Sequence, residues 1–269
     1  MRGLLIYDEA GYERNKWFAG QLIASADKLG CQLDLAIYKG ERDFDCSVDF
    51  AVVRTIAPEI NEYFEAHGIP TFNNSKTSRI ANDKWQTYLF AKELGLSVMH
   101  TLKPASHENI SDELDYPFVL KAIDGHGGSE VFLVDNEQKC KELFTSIGKN
   151  RLIIQEFCSE SGVDMRVYML GGEVLAAARR TSTSDFRSNF SLGGNAEIVS
   201  VPSAVQRVAK QVCHALGCDL VGIDFIRHRG EWILNEIEDV VGTRMLYSLT
   251  SIDAAYEYVK HIVNKINFG

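Results

Sequence analysis

The chain has 269 residues, 45% hydrophobic and 24% charged, with only five prolines and a formal net charge of −9. That length suits two or three compact units sharing interfaces, and the composition excludes a disordered or fibrous protein. An acidic chain must build any basic surface locally, so a nucleic-acid backbone is not the expected partner, although an anionic small substrate is allowed.

The amino terminus, MRGLLIYDEAGYERN, turns polar after a few apolar residues. Neither a signal peptide nor a membrane-spanning helix is expected there, and the expected location is the cytoplasm. Short apolar runs then alternate with amphipathic stretches: a strand over 4–7, a helix over 17–29, strands over 33–37 and 50–53, and a helix over 60–66. Strands separated by helices predict a parallel sheet, so residues 1–75 read as a small Rossmann-like unit. No GxGxxG follows the first strand, which argues against a dinucleotide site.

Asn73, Asn74 and Ser75 form a polar break, and a helical pattern from Asn82 stops at Gly95. A second unit over 76–157 carries strands over 98–102, 118–122, 131–134 and 152–157 and a helix over 138–147. The third, over 158–269, carries strands over 165–170 and 173–180, a polar loop over 181–194, a helix over 203–216, strands over 222–227 and 231–237, and a closing helix over 253–266. Six cysteines without CxxC or zinc spacing are expected to be free and mostly buried.

The chemistry-bearing residues lie in the last two units. PFVLK ends a strand at Lys121 and runs straight into Asp124-Gly125-His126-Gly127-Gly128-Ser129. A glycine loop frees backbone N–H groups to converge on phosphate oxygens, and a nearby ammonium meets the remaining charge. Lys84, at the start of a helix, offers a second phosphate contact. Gln155 and Glu156 at a strand end are placed to meet a base and its ribose.

Asp224 lies on one strand, and Glu236 and Glu238 share a face of the next. Three converging carboxylates repel unless a divalent cation compensates, and oxygen-only ligands suit magnesium. Arg166, Arg179, Arg180 and Arg187 cluster nearby, suited to carboxylates and phosphoryl groups.

In this order the motifs resemble the ATP-grasp ligases, in their RimK-like branch. The carriers are NDK at 82–84, PFVLK with GHGGS, QEF at 155–157, DMR at 164–166, AAARR at 176–180, DFRSN at 185–189 followed by Gly193-Gly194, and GIDF at 222–225. The resemblance implies an α/β (α+β) protein of ATP-grasp fold, in which two α+β subdomains grip ATP behind a small Rossmann-like domain. It implies that Lys84 and Lys121 contact phosphates under a loop of Gly125, His126, Gly127, Gly128 and Ser129. Gln155, Glu156, Phe157 and Asp164 would line the adenine and ribose pocket, while Arg187, Ser188 and Asn189 face the phosphates. Asp224, Glu236 and Glu238 would hold magnesium or manganese, and Arg166 and Arg180, with Lys121, would act on the substrate carboxylate or the oxyanion. The family pattern Glu-x-Asn followed by Ser-Ser-Pro-Gly is replaced here by Glu236-Ile237-Glu238-Asp239-Val240-Val241-Gly242. The extra negative charge bears on metal binding, and the altered segment through Arg244 implies a different substrate pocket.

The implied reaction joins a small carboxylate to an amine through an acyl phosphate. The acceptor is an amino acid, a peptide or a protein, and the assembly a homodimer or homotetramer. Two rival readings are an ATP-grasp kinase and a nucleotide-binding module without catalysis.

Overall fold

The computed structural model describes residues 1–108, 110, 113–125, 127–128, 130–182, 185–187 and 195–268. Its first sheet has the order β2-β1-β3-β4, built from β1 (Arg2–Asp8), β2 (Gln32–Tyr38), β3 (Phe50–Val53) and β4 (Thr71–Phe72), all parallel. Parallel strands are covered on both faces. Leu5, Tyr7 and Val52 pack under α1 (Glu9–Lys28), whereas Leu4, Ile6, Ala51 and Val53 alternate to the other side against α2 (Pro58–Ala66). α1 begins well before position 17 because Asp8 caps it, accepting the Gly11 N–H at 2.7 Å.

The second sheet is antiparallel, in the order β5-β8-β6-β7, from β5 (Thr101–Leu102), β6 (Phe118–Ala122), β7 (Val131–Val134) and β8 (Leu152–Glu156), with α5 (Glu137–Ile147) on one face. The strand expected over 98–102 shrinks to Thr101–Leu102, and Val98 instead bridges to Leu234, tying the linker to the third sheet. That sheet runs β11-β10-β9-β12-β13, from β9 (Glu160–Leu170), β10 (Glu173–Thr181), β11 (Asn195–Ile198), β12 (Leu220–His228) and β13 (Glu231–Glu238).

α6 (Ser203–Leu216) packs its apolar stripe on one face of the third sheet through Val205, Ala209, Val212 and Leu216. On the other face Tyr168, Ala178 and Leu220 join α8 (Ala254–Phe268), which also meets α1. The first and third sheets therefore share one core. The described residues further include the α-helices α3 (Ser75–Ala81), α4 (Lys84–Glu93) and α7 (Arg244–Leu249). α3 replaces the expected break because Asn74 caps it, accepting the Thr77 N–H at 2.8 Å. All six cysteines are free, and no described helix is long and apolar enough to cross a membrane.

Candidate active site

Alternation along the third sheet selects what enters the cleft. Met165, Val167, Val221, Ile223 and Phe225 face α6, so Asp164, Arg166 and Asp224 project from the opposite face. On β13 the alternation breaks: Leu234 and Ile237, three apart, both belong to the α6 side. The register slips at the same point, with Asp224 opposite Glu236 but Phe225 opposite Leu234. This bulge leaves Asn235 without an opposite residue and brings it to the cleft beside Glu236, as bulges do when they re-aim side chains.

The facing wall belongs to the second sheet. Lys121 on β6 donates to Gln155 Oε1 at 2.7 Å and to Asn235 Oδ1 at 3.0 Å, so one ammonium spans both sheets. Lys84 reaches Glu236 Oε1 at 2.9 Å and also the carbonyl of Gly125, and its backbone N–H is spent on Ile123 O at 3.1 Å. Asp83 caps the same helix, accepting the Gln86 N–H at 2.8 Å. Gly127 and Gly128 take positive φ, 65° and 78°, so the turn of the loop rests on two glycines in succession. Across the cleft Arg187, fixed by Asp185, donates from Nη1 to Gly128 O at 2.7 Å.

Behind these lies a buried chain of opposite charges. Arg166 Nε and Nη2 each donate to Asp224 at 2.7 Å, Arg180 Nη2 donates to Asp224 Oδ2 at 2.8 Å, and Arg180 grips Asp164 at 2.6 and 2.7 Å. Arg166 also pairs with Glu238. Burial alone would raise the Asp224 carboxyl, but the two guanidinium groups outweigh it and hold the group well below the usual carboxylate range. Glu238 goes the other way: burial pushes it up, with Asp224 and Glu236 adding to the rise against Arg166. Desolvation and the neighbouring Lys84 push Lys121 down to about 8, against the pull of Glu236.

Asp224, Glu236 and Glu238 all line the cleft. Each also meets a cation of the protein, and the described residues hold no cluster of three or more acids, histidines or cysteines ready for a metal. The donor chemistry still fits a magnesium ion in part. Glu236 and Glu238 each pair through one oxygen and lie on one face, whereas Asp224 spends both oxygens on arginines. Gln155, Glu156, Phe157 and Asp164 do border the cleft. Asp164 is clasped by Arg180, and Glu156 Oε1 accepts from Arg229 at 2.8 Å. His126, Ser129, Ser188 and Asn189 lie outside the described residues. Asn235 and Phe186 were not foreseen. Phe186 sits edge-on to Phe157 with ring centroids 6.1 Å apart.

The cleft thus offers an apolar stretch of Val119, Val131, Phe157, Phe186 and Ile226 leading to Lys84 and Lys121. It suits a molecule with a flat ring at one end and several negative charges at the other. A second cavity, of about 800 Å³, lies between the third sheet and the C-terminal ends of β1 and β3. Gly127, Arg180, Glu236 and Glu238 line both spaces.

A family model described as a RimK-like ATP-grasp domain matches residues 81–262. A protein of Pasteurella multocida named a probable alpha-L-glutamate ligase is 30% identical over 210 residues, 76% of this chain and 67% of that one. The RimK domain protein ATP-grasp of Sphaerobacter thermophilus superposes with a TM-score of 0.75 at 17% identity, covering 98% of this chain and 100% of its own. D-alanine–D-alanine ligase from Bacillus anthracis, complexed with ATP, superposes with a TM-score of 0.77 at 16% identity, over 99% and 97%. At these identities the structural likeness carries the fold, the mixed α/β ATP-grasp architecture.

Proposed function

Because the chain belongs to the RimK-like ATP-grasp family, we propose that it is an ATP- and magnesium-dependent ligase joining a carboxylate to an amine through an acyl phosphate. The observation that carries this reading is the junction of the two spaces at Gly127, Arg180, Glu236 and Glu238. A nucleotide lying in the cleft with its base among the apolar residues would bring its terminal phosphate there, next to whatever fills the larger cavity.

Lys84, Lys121 and Arg187 bind and orient the phosphates in this reading. Glu236 and Glu238 would hold the divalent cation, which when bound neutralises charge on the transferring group. Arg166 and Arg180, locked by Asp224 and Asp164, act as fixed positive charge for the substrate carboxylate and then for the tetrahedral oxyanion. The amine attacks the acyl phosphate carbonyl, phosphate leaves, and the amine loses its proton. No covalent nucleophile of the protein is needed. The contact of Arg187 with Gly128 across the cleft mouth helps keep water from the acyl phosphate.

The test is ADP release from ATP and magnesium, with carboxylates and amines supplied separately and together. L-Glutamate is the first amine to try, given the activity named for the Pasteurella relative. Turnover that needs both, with a product weighing their sum less one water, supports ligation. A phosphorylated product from one substrate alone would make it a kinase, and nucleotide binding without turnover a non-catalytic module.

A further inference from the structure

We propose that Arg54 is the anchor for a non-reacting carboxylate of the substrate, so that the ligase takes a substrate bearing a second carboxylate besides the one it activates. This rests on the ligase reading above. Arg54 follows β3 at the C-terminal edge of the parallel sheet, where open α/β sheets place ligands. It lines the 800 Å³ cavity yet is only 6% exposed.

Among the described residues its side chain makes one hydrogen bond, Nη2 to Val241 O at 2.8 Å. Its Nε is buried without a partner. The guanidinium lies over the Phe18 ring, 5.4 Å from the centroid, and no described carboxylate pairs with it. Asp239 feels the charge of Arg54 but makes its hydrogen bonds to neutral groups. Asp8 accepts from Thr55 at 2.7 Å and from Gly11 at 2.7 Å, and Asp239 Oδ1 accepts from Asn73 at 2.7 Å.

A buried guanidinium with one carbonyl partner is costly to keep, and a neutral side chain would serve a purely structural bond to Val241. Its planar fork matches a carboxylate with two parallel hydrogen bonds. Arg166 and Arg180 have their forks taken up by Asp224 and Asp164, whereas the fork of Arg54 keeps its Nε unspent. Exposed Arg14 and Arg244 stand at its rim.

The probe is glutarate, titrated against butyrate at equal ionic strength with MgADP present, into the wild type and Arg54→Met. The variant keeps length and the packing on Phe18. The wild type should bind glutarate at least tenfold tighter than butyrate, and Arg54→Met should lose that preference. The melting temperature of Arg54→Met without ligand should equal or exceed that of the wild type, which a merely structural role would not give. A variant that melts lower but still prefers glutarate overturns the assignment, as does a wild type that does not discriminate. Should Arg54→Met not fold, Arg54→Lys keeps the charge without the fork, and full retention of the preference in it overturns the assignment too. MgADP affinity, measured on the same proteins, reports separately on the nucleotide cleft. If glutarate preference depends on Arg54 while no nucleotide binds, the ligase reading falls and the Arg54 site stands.

Discussion

Arg166 and Asp224 stand directly opposite each other on β9 and β12 and lock through two hydrogen bonds of 2.7 Å. Arg180 takes the remaining capacity of Asp224 at 2.8 Å, so one buried carboxylate holds two buried guanidinium groups in place. Replacing it strands both. Asp224→Asn should cost about 3–5 kcal/mol of unfolding free energy, as expected when one partner of a buried charge network is removed. Urea titration reads the loss, and a change under about 1 kcal/mol would mean that the arginines are solvated. The carboxyl sits below its ordinary range, so its contribution is present above the usual carboxylate pKa and fades as pH falls below it. For the same reason an inactive Asp224→Asn would not by itself identify a metal ligand. Glu236→Gln is the cleaner variant for that purpose.

Lys121, pushed down to about 8 from its ordinary 10.5, binds fewer protons in the folded protein than in the unfolded one between those values. Stability attributable to it should therefore rise with pH from about 8 to 10.5, by up to about 3 kcal/mol, less what solvent screening removes at its half-buried ammonium. Nucleotide affinity should run the other way, weakening above pH 8 as the ammonium empties, by at most about tenfold per unit. MgADP titrations between pH 7 and 9.5 check this, with Lys121→Met as reference: its affinity should be low and flat. A wild-type profile as flat as that of Lys121→Met would remove Lys121 from the phosphate site.

Much of the site was legible because period-two alternation is local. Asp164, Arg180, Asp224, Glu236 and Glu238 line the cleft and Arg166 the larger cavity beside it, in keeping with their spacing on strands. Which carboxylate meets which cation was not legible, since pairing depends on the register of strands far apart in sequence, such as Arg166 with Asp224. The shared core of the first and third sheets was hidden likewise, because α8 reaches α1 across nearly the whole chain. α3 and α7 are too short for a periodic signal; the Asn74 cap decides α3, whereas α7 starts without a side-chain cap.

Asn235 shows a readable signal that alternation alone conceals. Leu234 and Ile237, three residues apart on one core face, mark the bulge, and the bulged amide accepts the Lys121 ammonium at 3.0 Å. Asn235→Leu should leave Lys121 with Gln155 alone, lowering its pKa further and moving the fall in MgADP affinity to lower pH. The same titration series measures the displacement. An unmoved midpoint would show that the amide does nothing for the ammonium.

Glu238 stands where the resembling pattern has Asn, and burial beside Asp224 and Glu236 raises its pKa. A cation is the natural relief for that crowding. Glu238→Gln should raise the free magnesium needed for half-maximal ADP release roughly tenfold, equivalent to about 1.4 kcal/mol. Stability should change by no more than about 1 kcal/mol, because Arg166 keeps Asp224 and the Glu238 pair is partly exposed. An unchanged magnesium dependence would leave the metal to Glu236.

Arg187 is fastened at one end to Asp185 and at the other to Gly128 O at 2.7 Å, which makes it the link between the strand-end segment and the glycine loop. Both members of the ion pair remain partly open to solvent, so its loss should cost no more than about 1 kcal/mol of stability. The cost should fall on ligand binding instead: with the loop released and one cation removed, Arg187→Gln should weaken MgATP binding about tenfold or more. Arg187→Lys restores charge but not the fork that spans Asp185 and Gly128, and should recover only part of it. Comparing nucleotide affinity with urea midpoints for the two variants separates the roles. Equal affinities in wild type and Arg187→Gln would reduce the contact to a feature of the closed loop without a part in holding phosphate.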